Sequence, residues 1–157
     1  MEHIDGVEES QVSHLLTVYY LVSGHSYPHQ QGHAELWYDR DDPCAAHISF
    51  LSGAGSTYEE PVTWEFARNL MGLGLQGLSG HGDVMFWPYQ NGKPGWNGVV
   101  QIVMSLKSPD GDCLVLIPKD DVISFLRETY RLVPPRKERK IVRKALSRYL
   151  SEVLEWE

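Results

Sequence analysis

Hydrophobic and polar positions follow two different rhythms along this chain. Between His14 and Ile117 the apolar residues fall in short blocks rich in Val, Ile, Tyr, Phe and Trp. Gly, Pro, Asp and Asn separate the blocks, which marks strands and turns. The blocks predict strands over 14–23, 34–39, 46–51, 62–66, 84–87, 99–106 and 113–117. Asp42 before Pro43 and the run Ser108-Pro109-Asp110-Gly111 carry turn chemistry. Residues 67–75 read as a short helix weakened by Gly72 and Gly74.

After Pro118 the spacing becomes helical. Val122, Ile123, Leu126 and Tyr130 share one side of a helix predicted over Lys119–Leu132, and Pro134-Pro135 ends it. A last helix is predicted over 136–154. Its apolar stripe is Ile141, Val142, Ala145, Leu146, Tyr149, Leu150, Val153 and Leu154. The order is four strands, a short helix, three strands and two helices, with no internal repeat. The fold class is α+β: a strongly bent antiparallel sheet, or two packed sheets, of about seven strands, with a mid-chain helix and two C-terminal helices. Residues 1–13 are polar and acidic and read as a flexible arm, and 14–157 as a single domain.

Composition narrows the class. Hydrophobic residues make up 42% and charged ones 22% of 157, enough for a real core, so disorder over most of the length is excluded. No apolar run approaches the roughly 18 residues of a membrane span. Residues 1–10 lack the basic start of a secretory signal. Two isolated cysteines, Cys44 and Cys113, give no disulfide framework and fit a reducing, cytoplasmic setting.

The net charge of −7 is unevenly spread. Residues 134–157 carry Arg136, Lys137, Arg139, Lys140, Arg143, Lys144 and Arg148 against four glutamates, while the preceding residues carry seven bases and seventeen acids. Cations at a helix N-terminus oppose the macrodipole, by ~0.3–1 kcal/mol each at low salt. The block reads either as a solvated face paired with the acidic body, or as a contact for an acidic protein tail, nucleic acid or an anionic surface. Tyr89 and Trp96, in a loop with Pro94, are candidate contact residues.

Other clusters read more plainly. His25, His29 and His33 recur at a spacing of four, but Pro28 and Gly32 argue for a polar loop rather than a metal-binding helix. Asp42, Cys44 and His47 include a nucleophile and a base without the context of a catalytic elbow. In Gly80-His81-Gly82-Asp83 the glycines are expected to supply positive φ and Asp83 to bind backbone amides. Trp37, Trp64, Trp87, Tyr19, Tyr20 and Tyr38 read as core or interface, with a base-stacking platform as the alternative. No catalytic, cofactor or metal residues are assigned.

An ordered series of motifs carries a family resemblance. Glu35-Leu36-Trp37-Tyr38-Asp39 leads into Asp42-Pro43-Cys44-Ala45 and His47-Ile48-Ser49-Phe50. Val62-Thr63-Trp64-Glu65-Phe66-Ala67-Arg68-Asn69-Leu70 follows, then Gly80-His81-Gly82-Asp83-Val84 with Trp87-Pro88, Ser108-Pro109-Asp110-Gly111, Phe125-Leu126-Arg127-Glu128-Thr129 and Val133-Pro134-Pro135. Over about residues 34–135 the chain resembles the SsgA-like proteins, sporulation and cell-division regulators of filamentous actinomycetes. The resemblance implies a Whirly-like scaffold associated with trimers, no catalytic residues, and action through the tubulin-like division protein FtsZ or another divisome protein at the septum. Arg136 stands where the family usually continues with Gly, and this last helix opens with a basic block where the family's is typically acidic. The expected function is therefore a non-enzymatic regulator of septation working through protein contacts. The alternative is single-stranded nucleic-acid binding on the same scaffold. The contact residues would be Arg136, Lys137, Arg139, Lys140, Arg143, Lys144, Tyr89 and Trp96.

Overall fold

The computed structural model describes residues 9–21, 30–53, 56–80 and 82–154. Seven strands form one sheet: β1 (Gln11–Leu21), β2 (Gln30–Asp39), β3 (Ala45–Ser52), β4 (Val62–Ala67), β5 (Val84–Pro88), β6 (Gln101–Ser108) and β7 (Gly111–Pro118). The helices are α1 (Arg68–Leu73), α2 (Lys119–Leu132) and α3 (Pro135–Leu154). Across the sheet the order is β4-β3-β2-β1-β7-β6-β5. Every neighbouring pair is antiparallel.

The sheet is two meanders joined where β1 meets β7. β1 to β4 run as one meander and β5 to β7 as the other. They meet where Tyr19, Tyr20 and Leu21 pair with Leu116, Val115 and Leu114. The joined sheet curls until its two edges approach each other. Phe66 on β4 and Phe86 on β5 meet edge to face with ring centroids 5.1 Å apart.

Alternation sets which face is buried. Leu16, Val18 and Tyr20 of β1, Ala34, Leu36 and Tyr38 of β2, and Ala46, Ile48 and Phe50 of β3 all point into one core. α2 packs against β1, β7 and α1 and adds Val122, Phe125 and Leu126. Asp120 and Asp121 lie in its first turn, where carboxylates favour the helix dipole. Residues 101–106 of β6 are buried at every position. That is why this stretch reads as a continuous apolar run rather than an alternating one.

Several boundaries differ from the sequence pattern. β1 starts at Gln11 rather than His14, inside the segment read as an arm, because Gln11, Val12 and Ser13 pair with Asp39, Tyr38 and Trp37. β2 starts at Gln30, inside the segment read as a polar loop, because Tyr20 and Tyr19 pair with Gln30 and Gln31. Cross-strand hydrogen bonding overrides the polar composition of both segments. Residues 1–8, and His25 and His29 of the histidine loop, lie outside the described residues, as does His81.

Gly80 and Gly82 have φ of 81° and 92°, the left-handed region expected of them. The backbone carbonyl of Asp83 accepts the Lys107 N–H at 2.9 Å, and no amide among the described residues donates to its carboxylate.

Candidate interaction site

The backbone turns from β4 into α1 at Arg68, whose amide donates to the Cys44 carbonyl at 2.9 Å. That placement sends the Arg68 side chain into the interior, where it is fully buried. A buried guanidinium must fill its hydrogen bonds or destabilise the fold heavily. Here Nη1 donates to the carbonyls of Thr129 at 3.0 Å and Val133 at 2.7 Å. Nε and Nη2 donate to Glu138 Oε2 at 3.2 and 2.5 Å. The guanidinium carbon also lies 4.9 Å from the ring centre of Tyr38 and 4.3 Å from that of Tyr130.

These partners explain how α3 is attached. Thr129 and Val133 sit at the C-terminal end of α2, where free carbonyls and the helix dipole favour a cation. Glu138 lies in the first turn of α3, where a carboxylate is favoured. One arginine therefore closes the end of α2 and holds the start of α3. Pro134 and Pro135 set the elbow between them. The Pro134 carbonyl accepts the Lys137 N–H at 2.9 Å, and Pro135 takes the first helical position, which suits its missing N–H.

Beyond this root, the described side chains of α3 are exposed. Arg136, Lys137, Arg139, Lys140, Arg143 and Lys144 are all exposed. Ile141, Leu146 and Leu150 are 44%, 55% and 49% exposed. The apolar stripe read from the sequence therefore has these three members in solvent. The side chains of Val142, Ala145, Tyr149, Val153 and Leu154 lie outside the described residues.

Tyr89 and Trp96 lie together on the connection between β5 and β6. Tyr89 opens a single 3-10 turn in which Gln90 and Asn91 take left-handed φ of 51° and 56°. Trp96 is 45% exposed and rests its ring on Tyr19 of β1 at 5.0 Å, edge to face.

The remaining aromatics divide between roles. Tyr38 and Tyr20 are buried. Their hydroxyls donate to the carbonyls of Pro43 at 2.8 Å and Ser52 at 3.2 Å. Trp37 stacks on His47, and Trp64 packs against the core. They form no single stacking platform.

Burial pushes both Tyr20 and Tyr38 from the ordinary 10 up to about 12. A raised folded-state value means that unfolding favours the tyrosinate above pH 10. Stability should therefore be full below pH 10 and fall as pH rises from 10 to 12. Tyrosine absorbance at 295 nm, followed with circular dichroism, should show Tyr20 and Tyr38 among the tyrosines that ionise only as the fold is lost. Complete ionisation near pH 10 with the fold intact would contradict this burial.

The grouping of Cys44 with Asp42 and His47 does not gain a reactive thiol. Burial, with Glu138 and Asp42 nearby, pushes the Cys44 thiol up, away from the thiolate that nucleophilic chemistry needs. A cleft of about 510 Å³ opens where the curled sheet gapes, lined by Tyr20, Phe50, Val62, Trp64, Leu106 and Cys113 among others. Burial raises the Cys113 thiol as well. His33 is tied into β2, with its ring nitrogen Nδ1 3.1 Å from the Ser52 hydroxyl.

Residue chemistry alone does not single out Arg68, the centre of the elbow. It stands out in one respect: a lone cation between the apolar Phe66-Ala67 and Leu70-Met71. A basic side chain in such a stretch must either emerge at the surface or find buried partners.

The family model described as "Streptomyces sporulation and cell division protein, SsgA" matches residues 33–138, from β2 to the first turn of α3. The span includes both Arg68 and Glu138. The sporulation-specific cell division protein SsgB of Streptomyces coelicolor is 39% identical over 107 residues, covering 68% of this chain and 72% of that protein. A solved structure from work on SsgB mutations that correlate with longitudinal cell division during sporulation of Streptomyces coelicolor superposes with a TM-score of 0.71. It is 35% identical and covers 86% of this chain and 98% of that one. The SsgA-like sporulation-specific cell division protein of Thermobifida fusca superposes with a TM-score of 0.70 at 29% identity, covering 93% of this chain and 98% of that one. With the matched segment running through the sheet and the Arg68–Glu138 elbow, this chain belongs to the SsgA family of sporulation and cell division proteins.

Proposed function

We propose that the protein is a non-enzymatic regulator of septation that acts through protein contacts, with FtsZ or another divisome protein as its partner. The supporting observation is α3, fixed at its root by Arg68 and Glu138 yet carrying six exposed bases and exposed apolar residues beyond it. A rigidly rooted helix gives a directed contact at low ordering cost. Its apolar residues favour self-association, with a trimer as the form the family resemblance implies. Repeated copies of the basic face would then gain avidity for a polymer with acidic segments. No described helix is long and apolar enough to cross a membrane. The site of action proposed is the cytoplasmic side of the septum, reached by recruitment.

The test is a fluorescent fusion followed through sporulation in a filamentous actinomycete. The wild-type chain should form bands at nascent septa. The triple variant Arg139→Glu, Lys140→Glu, Arg143→Glu should be diffuse at equal abundance. Banding that survives the triple reversal would remove α3 from the account. Wild-type protein that never concentrates at septa would remove the septal role.

A further inference from the structure

On the outer face of the first meander, β2, β3 and β4 bring together a row of side chains that the elbow and α3 do not use. His47 on β3 stands opposite Trp37 on β2 and opposite Glu65 on β4. Directly opposed residues on adjacent antiparallel strands share a face, so Trp37, His47 and Glu65 form one line across three strands. Asp42 joins the line from the β2–β3 turn. Its amide donates to the Asp39 carbonyl at 3.1 Å and its carbonyl accepts the Ala45 amide at 3.4 Å, with Pro43 stiffening the turn.

The imidazole of His47 is held but not satisfied. It stacks on Trp37 with centroids 3.9 Å apart and planes 9° from parallel. Among the described residues its buried Nδ1 has no hydrogen-bond partner. Its Nε2 lies 4.0 Å from Glu65 Oε2, beyond hydrogen-bond reach. One potential ligand atom from each of Asp42, His47 and Glu65 lies within 4.8 Å of the other two.

We propose that Asp42, His47 and Glu65 form a binding site for a divalent transition-metal ion of the zinc class. Bonds of ~2.0–2.2 Å from nitrogen and oxygen to a shared ion need donor atoms ~3–4 Å apart. Asp42 and Glu65 are exposed, so small side-chain rotations close the set without moving the backbone. One imidazole nitrogen and two carboxylates suit Zn²⁺, Ni²⁺ or Co²⁺ better than Mg²⁺ or Ca²⁺, which take oxygen ligands. The acidic body, with ten more acids than bases before residue 134, raises the local cation concentration. Three protein ligands leave at least one position for water or a partner's side chain. The ion clamps the β2–β3 turn onto β4, an edge strand of the sheet.

The stacked tryptophan supplies a readout. Full-length protein carrying His25→Ala and His29→Ala, which remove the loop histidines, is titrated with Ni²⁺ while tryptophan fluorescence is recorded, and with Zn²⁺ while melting is recorded. We expect saturable quenching that Trp37→Phe reduces, and a Zn²⁺-dependent rise in Tm that Trp37→Phe retains. His47→Gln and Glu65→Gln should each weaken both responses at least ~tenfold, the loss of one ligand from three. Melting in chelator checks that each variant folds, and the exposed Glu65→Gln serves if His47→Gln does not. Unchanged binding in Glu65→Gln, or no saturable response by ~1 mM metal, would overturn the site.

Discussion

Replacing Arg68 with Ala should lower folding stability by roughly 3–5 kcal/mol, the cost of leaving a buried partner charge alone. The effect has three sources. Glu138 keeps a largely covered carboxylate without its Arg68 partner. The carbonyls of Thr129 and Val133 each lose a charged donor. The space between the rings of Tyr38 and Tyr130 empties. Arg68→Lys should recover only part of the loss, because a single ammonium cannot reach α2 and α3 in the forked geometry of a guanidinium. Urea unfolding followed by circular dichroism measures each variant. In a double-mutant cycle, Arg68→Ala with Glu138→Ala should cost clearly less than the sum of the two singles. A loss below ~1 kcal/mol for Arg68→Ala would put the pair on the footing of a surface salt bridge and dissolve the elbow.

The elbow also lies beyond what local sequence pattern encodes. α2 was legible from end to end, since Val122, Ile123, Leu126 and Tyr130 keep a helical period and Pro118 and Pro134 flank it. The central strands were legible because their apolar blocks are continuous or alternate. The ends of β1 and β2 were not, because Gln11, Gln30 and Gln31 become strand only through pairing with distant partners. The seam between β1 and β7 joins residues nearly a hundred positions apart, and no local pattern encodes it.

Sites followed the same rule. The basic block and the Tyr89–Trp96 loop declare themselves by composition. Arg68 was visible as part of a family motif, but its three-way role needs Thr129, Val133 and Glu138, which arrive from two later helices. At the outer-face cluster the sequence groups Asp42, Cys44 and His47 because they are neighbours in the chain. The fold turns the Cys44 backbone toward Arg68 and brings Glu65 to His47 through strand register instead.

The second large effect concerns α3 itself. The triple reversal Arg139→Glu, Lys140→Glu, Arg143→Glu changes only exposed side chains, so its folding stability should stay within ~0.5 kcal/mol of wild type. Its effect on binding should be far larger. Replacing attraction by like-charge repulsion at a contact costs several kcal/mol. Affinity for an acidic polymer should therefore fall at least ~tenfold. Raising ionic strength should weaken the wild type in the same direction, since exposed charges are screened within ~8–10 Å at physiological salt.

Co-sedimentation with FtsZ filaments tests the central claim most directly. It should be run at low and moderate salt, with wild type and the triple variant side by side and a single-stranded oligonucleotide as competitor. The account predicts that wild type pellets with filaments, less at moderate salt, that the triple variant stays in solution, and that the oligonucleotide does not compete. Equal pelleting of the two proteins, or wild type displaced from filaments by the oligonucleotide, would contradict it.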